Sequence, residues 1–441
     1  MPSDRQTLRL LFSWSAFVLC GIAIAWLSGR LEPVLVPDTP GYQEYNFASL
    51  TEMCRSIRTP GYPAWLKIIA STLELALVPM MQVVVHATAT WWLWFELRRW
   101  GMARSQAVIA ALAVGIGCTA MDQINVIASD ALAASFGVMT VVATMRWARL
   151  GGSVSGLWLP ALLAVIAIAI RPAYLFLPLW LLVGGACLHR RAGMRWSDAI
   201  RAATMAALLV VVPIFGWSAV RYATAGDFAI APFGHQNMGG VLVQLVSEDE
   251  LNDLGELGQA VATRKRDYIG SLGQAADDDP RATMTIDARW DAMTYEVVIP
   301  AAGEVAGQDV IESHRAIRAL NRSIVLNWPG RYVIWIAKAF RRGAWSIAAD
   351  IVMHPIFLLM IALAMVLVLE RSLDGEPSLP AIPRSGALDA LAIVAITYLI
   401  LKLGFVSLTS PPIGRFGDAA AIFLPALAAA GFVRWYARGQ E

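Results

Sequence analysis

The chain has 441 residues, of which 57% are hydrophobic and only 15% charged, against roughly 25% charged in soluble domains. With a mean hydropathy of +0.57, this composition excludes a soluble globular enzyme and a disordered binder. The near balance of 35 Lys plus Arg against 33 Asp plus Glu leaves no basic surplus for nucleic acid.

The composition predicts an all-α polytopic membrane protein, and 17 Trp fit that class because indole rings favour the membrane–water boundary. A span needs about 20 mainly apolar residues. In chain order ten segments meet or approach this: 10–28, 75–97, 105–121, 127–145, 156–170, 173–188, 202–220, 350–369, 387–406 and 419–436. The first follows Arg5 and Arg9, as a signal peptide would. Its apolar run exceeds the usual ~7–15 residues and no small-x-small cleavage site follows, so an uncleaved span is expected. Segments 156–170 and 173–188 are one apolar stretch interrupted by Arg171-Pro172. A charge joined to a helix breaker, in a stretch too long for one crossing, predicts two helices.

With the N-terminus inside, the short inside connections hold Arg98, Arg99 and Arg104, then Arg146 and Arg149, then Arg190, Arg191 and Arg195, then Arg371 and Arg384. The short outside connections hold only Arg171 and Arg415. That asymmetry obeys the positive-inside rule. Two long segments, 29–74 and 221–349, then fall outside. The chain divides into an N-terminal membrane module 1–220 with outer loop 29–74, an outer region 221–349, and a C-terminal membrane module 350–441. Within the outer region, 241–270 and 305–325 have helical apolar spacing. The segment around Trp328, Tyr332 and Trp335, ending in Arg341 and Arg342, suits a helix lying along the interface. The compact portion of this region is expected to be smaller than an independent catalytic domain, so chemistry is expected where it meets the bundle.

Asp38, Asp122, Asp130, Arg58, Arg171, His235 and Arg415 all fall on the outer side. A charge near hydrocarbon is costly and usually faces a protein interior or a functional cavity; singly, each also fits a solvated loop or a topology marker. Asp38 stands between Pro37 and Thr39-Pro40-Gly41, and Arg58 opens Thr59-Pro60-Gly61-Tyr62-Pro63. Both are constrained turns. His235 and Asn237, in "APFGHQNMGG", either contact a sugar or phosphate or cap a turn at the surface. Lys402, near the outer end of its span, is either a charge within the span or a further candidate phosphate contact. The run Asp277-Asp278-Asp279-Pro280 reads as a solvated acidic loop, and no His/Asp/Glu cluster has metal-ligand spacing. The four cysteines lie far apart and define no disulfide framework.

These residues resemble the GT-C superfamily of membrane-embedded glycosyltransferases, in particular the bacterial branch of protein mannosyltransferases and the lipid A aminoarabinose transferase. That branch carries Asp-Ser-x-x-Tyr after its first span and Arg-x-Pro-x-Tyr-Pro later. The chain has Asp38-Thr39-Pro40-Gly41-Tyr42 and Arg58-Thr59-Pro60-Gly61-Tyr62-Pro63. Further similarities are Asp130 in "VIASDALAASFGV", where the family usually has Glu, Arg171-Pro172, and Arg415-Phe416, where it usually has Arg-Tyr. The resemblance covers the spans and first loop but scarcely 240–325. Asp130 is shorter than Glu by a methylene, so Asp122 competes for the second acidic role; Phe416 lacks the tyrosine hydroxyl.

The resemblance implies a GT-C-like fold of about ten transmembrane helices and transfer of a sugar from a polyprenyl-phosphate donor to a glycolipid, glycan or protein acceptor. It implies a bacterial inner membrane location with the site facing the periplasm. The expected catalytic residues are Asp38 as general base with Asp130 or Asp122 assisting. Arg58, Arg171 and Arg415 are expected on the donor phosphate, with Tyr42, Tyr62, His235, Asn237 and Lys402 around it. No cofactor is assigned, and divalent metal dependence stays open. The alternative is a transporter or flippase of lipid-linked sugars, which predicts paired repeats and midplane charges. A structural scaffold for an envelope complex is a third reading.

Overall fold

A computed structural model describes residues 4–72, 74–272, 286–353, 358–360, 362–363, 365–366, 386–412, 414 and 417–438. Among them the regular structure is helical apart from one isolated parallel bridge, Val34 to Val126. The membrane-type helices are α1 (Asp4–Leu27), α5 (Val78–Arg99), α6 (Arg104–Gly115), α8 (Asp130–Arg149), α9 (Trp158–Ile170), α10 (Leu177–Arg191) and α11 (Trp196–Ala225), then Gly386–Thr409 and Leu424–Arg438. The first outer loop holds α2 (Thr39–Gln43), α3 (Leu50–Arg55) and α4 (Gly61–Thr72), and α7 (Cys118–Met121) precedes α8.

Among the described residues six helices, not ten, are long and apolar enough to cross a membrane: Arg5–Leu27, Leu75–Arg99, Asp130–Arg149, Pro172–Arg191, Trp196–Ala225 and Gly386–Thr409. Arg104–Gly115, Val154–Ile170 and Leu424–Trp435 are shorter apolar helices. The reason is local. Apolar composition runs on past Gly115, but the helix stops there and resumes as the short α7. The stretch 156–188 breaks at Arg171, whose backbone is extended (φ −149°, ψ 118°) ahead of Pro172. Segment 350–369 lies only in part within the described residues.

The bundle core runs through Leu93, Val138, Val141, Leu177, Trp180, Leu391 and Tyr398. α8 packs against α5, α9 and α10, and α10 against α11 and Gly386–Thr409. At one end, Glu96 is fully buried and takes a fork of bonds from Arg149 Nε and Nη2 at 2.6 and 3.2 Å, while Arg191 reaches Asp389 at 2.9 Å. Paired in this way, an anion inside a hydrophobic helix is tolerated.

The region after α11 forms α12 (Gly234–Leu242), α13 (Glu248–Asn252), α14 (Glu256–Leu272), α15 (Ile286–Ala292), a π-helical turn (Met293–Val298), α16 (Ile299–Ala306), α17 (Val310–Asn327) and α18 (Pro329–Met353). Leu242, Leu251, Val261, Val297, Ile317, Leu320 and Ile324 give it a small core of its own. α18 buries Trp335, Ala339 and Ile347 and leaves Val333, Ile334 and Trp345 exposed. Arg342 forks onto Asp287 at 2.6 and 2.7 Å, holding α18 against α15.

Candidate active site

The first outer loop is stitched to the entrance of α8. Val34 N donates to Asn125 O at 2.8 Å, Ile127 N donates to Val34 O at 2.9 Å, and Thr39 Oγ1 donates to Ile127 O at 3.0 Å. These bonds bring Asp38, at the start of α2, beside the segment that carries Ser129 and Asp130. The second turn closes onto the same place. Gly61 abuts the backbone of Ala169 and Ile170, and Thr59 Oγ1 bonds Ile170 O at 3.4 Å. Two sequence-distant turns and the break before α10 therefore meet.

They meet around a cavity of about 350 Å³. Its lining includes Asp38, Tyr42, Arg58, Ser129, Arg171, His235, Asn237, Tyr295 and His314, with Ile170, Leu175, Ile230, Phe405 and Val406 supplying apolar wall. Arg58 Nη2 donates to Asp38 Oδ1 at 2.8 Å, and its guanidinium lies 4.8 Å from the Tyr42 ring centre and 5.8 Å from that of Phe233. Arg171 Nη1 donates to Asp130 Oδ2 at 2.7 Å and to Ser129 Oγ at 3.2 Å. The Tyr42 hydroxyl lies 3.2 Å from the same Ser129 Oγ. The two ion pairs are thus bridged through Tyr42 and Ser129. A second cavity of about 570 Å³ shares Asp38, Ile57, Arg58, Phe233 and Tyr295 with the first and extends along α16 to the start of α17. Arg55, paired with Asp309 at 2.5 Å, joins the first loop to α17 beside it.

The cavity gathers Asp38, Tyr42, Arg58, Arg171, His235 and Asn237 from the residues expected in the sequence. Asp130 is buried behind the wall and acts on the cavity through Arg171. Tyr62 is fully buried and meets Tyr42 edge-on at 4.9 Å, so it supports the lining without joining it. Lys402 is buried, its ammonium 3.7 Å from the Tyr174 ring centre and 5.4 Å from that of Phe176. Asp122 goes elsewhere: it is half-exposed and pairs with Arg30 at 2.5 Å. Of the two competing acids, Asp130 is the one joined to this cavity, because helix α8 starts on it and aims it at Arg171. Arg415-Phe416 and Asp277–Asp279 lie outside the described residues. Among the described residues, no group of three or more His, Cys, Asp or Glu side chains is arranged to hold a metal ion.

Sequence reasoning missed His314 and what stands behind it. Asp227 is wholly buried just after α11; its carboxylate lies 3.2 Å from Arg221, 3.3 Å from His314 Nδ1 and 3.5 Å from Arg318. Burial raises the Asp227 carboxyl, but His314, Arg221 and Arg318 outweigh it and hold the group below its ordinary range. Arg221 also donates to the carbonyls of Cys54 at 2.8 Å and Ala229 at 2.6 Å, fastening the first loop and the 229–238 segment to the end of α11. The missed signal lay in α17: His314 is a polar residue on a stripe with Ile311, Ile317, Leu320 and Ile324, all buried. A polar side chain on such a stripe marks a partnered interior site.

In comparisons with known proteins, no family model, no curated protein and no solved structure matches this chain.

Proposed function

We propose that the chain is a glycosyltransferase that moves a sugar from a polyprenyl-phosphate donor to a glycolipid, glycan or protein acceptor at a membrane face. The observation that carries this reading is the meeting of the Asp38–Arg58 and Arg171–Asp130 pairs at one largely apolar cavity at the ends of membrane-type helices, with Asp130 behind its wall. Such a donor is amphiphilic: its tail needs apolar wall and its phosphate needs fixed donors. The neighbouring cavity that shares Asp38 offers the acceptor an approach to the same carboxylate.

In the transfer, the acceptor O–H or N–H attacks the anomeric carbon and loses its proton to Asp38, which Arg58 orients. The C–O bond to the phosphate breaks with its electron pair on the phosphate oxygen. A guanidinium has five N–H donors in a planar fork, so Arg58 and Arg171 can keep their carboxylate partners while donating to that oxygen. Such donors stabilise the departing charge most in a site shielded from water. The three short apolar helices and segment 350–369 complete a GT-C-like bundle of about ten spans in this reading. The cavity then faces the periplasm of a bacterial inner membrane, opposite the arginine-rich connections.

The test is transfer by the purified protein in lipid nanodiscs from a panel of polyprenyl-phosphate sugars, with envelope lipids and glycans of cells carrying or lacking the intact gene compared by mass spectrometry. The expected result is an acceptor heavier by one sugar and stoichiometric release of polyprenyl phosphate. Movement of intact lipid-linked sugar across the bilayer without covalent transfer would instead establish the flippase reading.

A further inference from the structure

A half-buried and a buried histidine at the cavity take no part in the transfer as described. His235, on the first turn of α12, lines the cavity, and its ring centre lies 5.0 Å from that of His314. α17 holds the pair from behind: Asn321 Nδ2 donates to the His235 carbonyl at 2.7 Å, and Asp227 meets His314 Nδ1 at 3.3 Å. His314 Nε2 is buried without a hydrogen-bond partner among the described residues.

We propose that His235 is a proton carrier of this cavity: it takes up one proton when a phosphodiester binds and passes it to the departing phosphate, with His314 and Asp227 as its positioning residues. This rests on the transfer reading. The charges around the pair explain the behaviour. Asp227 supplies one negative charge against two permanent cations, Arg221 and Arg318, so the cluster is positive before either histidine is protonated. Burial first, then the charges of His314 and Arg318, lower His235 to about 4, with Asp227 opposing. Without an anion beside it His235 is therefore neutral near pH 7.

Several other charged groups on the elements around α12 are paired or turned away. Asp38 pairs with Arg58 and Asp130 with Arg171. On α15, Asp287 pairs with Arg342. From Gly386–Thr409, Lys402 lies on the rings of Tyr174 and Phe176. On the π-helical turn, Tyr295 lines the cavity, and Glu296 faces a separate groove beside Arg264. On α17, Arg315 is held by Glu312 and the carbonyl of Gly226. A phosphodiester entering the cavity is then the uncompensated negative charge, and an opposite charge nearby raises a histidine by about 1–3 units.

The step balances. The phosphate oxygen that leaves the anomeric carbon with the bonding pair receives the His235 proton, while Asp38 receives the acceptor's proton. The released monoester keeps one negative charge; transfer of the Asp38 proton to His235 restores the donor-bound protonation state, and His235 returns that proton to solvent as the monoester leaves.

The experiment measures binding of a farnesyl methyl phosphodiester, whose single charge is constant near neutrality, to the full-length protein in nanodiscs over a pH series. Above the His235 value reached with the anion bound, affinity should be independent of pH. As pH falls below that value it should climb tenfold per unit and level off near the anion-free value of about 4, an overall gain of about 10- to 1,000-fold. His235→Gln should abolish the climb. His314→Gln, which relieves the repulsion on His235, should move the level-off to higher pH. Gly216→Ala, where a Cβ meets nothing within 4 Å, should keep the wild-type profile. A flat wild-type profile, or an unchanged climb in His235→Gln, overturns the proton-carrier role and leaves the transfer reading standing. Absence of diester binding by the wild type at every pH overturns both. Should His314→Gln fail to fold, His235→Gln alone decides.

Discussion

Gly61→Ala tests the link between the Arg58 turn and the site more sharply than removal of any charge. Gly61 opens α4 and its φ is not positive, so alanine suits the backbone and, by propensity alone, favours the helix. The obstacle is tertiary. A Cβ there would lie 2.5 Å from the Ala169 carbonyl carbon, 2.6 Å from its oxygen and 2.6 Å from Ile170 N. Ordinary contact begins at 3.4 Å, so the shortfall is 3.4 − 2.5, about 0.9 Å, against backbone that cannot rotate aside. α4 and the end of α9 must separate by about that distance, and Arg58 and Arg171 sit immediately beside the two ends that move. Overpacking of this kind costs about 1–3 kcal/mol, and a displacement of about 1 Å from productive geometry can cost about 10²-fold in rate. Single-turnover sugar transfer and thermal unfolding of the purified variant should therefore show a rate loss much larger than the stability loss explains. Wild-type turnover and melting in Gly61→Ala would refute the claim that this close approach sets the site.

Asp38→Asn keeps the shape of the side chain but removes the proposed base; transfer should fall about 10²–10⁴-fold while the protein stays monodisperse, and near-wild-type turnover would move the base elsewhere. Asp130→Asn should destabilise by about 3–5 kcal/mol because it leaves Arg171 without its buried anion. The double variant Asp130→Leu/Arg171→Met should recover much of the melting temperature but none of the activity, which separates the pair's structural work from its chemistry. Single-cysteine labelling in intact cells, after replacement of the native cysteines, should reach exposed positions 44 and 253 from the periplasm and position 151 only from the cytoplasm; external labelling of 151 in folded protein would invert the orientation proposed.

Much of the site could be read from local sequence because its signals are local. Asp38, Tyr42, Arg58 and Arg171 each lie within two residues of a proline that stops a helix or restricts a turn, and such residues hold a side chain at a defined place. His235 and Asn237 showed only as a polar island after a span. His314 carried no such mark, since its role depends on Asp227, which lies in a different segment. The choice between Asp122 and Asp130 was equally beyond local reading: both lie near the start of α8, and only the packing of α8 against α9 and α10 turns one toward Arg171 and leaves the other with Arg30.

The sequence by itself determined the class: a charge-poor chain of long apolar stretches becomes helical because bilayer hydrocarbon leaves backbone groups no other partner. It also determined the break at Arg171-Pro172, since a proline acts within a turn of its own position. The length of each helix was less secure, because apolar composition continues through the break after Gly115 and does not report where hydrogen bonding stops. Only the tertiary structure decided which charges neutralise one another. Glu96 with Arg149, Asp38 with Arg58, Asp130 with Arg171, and Asp227 with Arg221 and His314 are each separated along the chain and joined by side-chain packing. A buried charge is stable only with its partner, and that partner is chosen by the helix that arrives beside it.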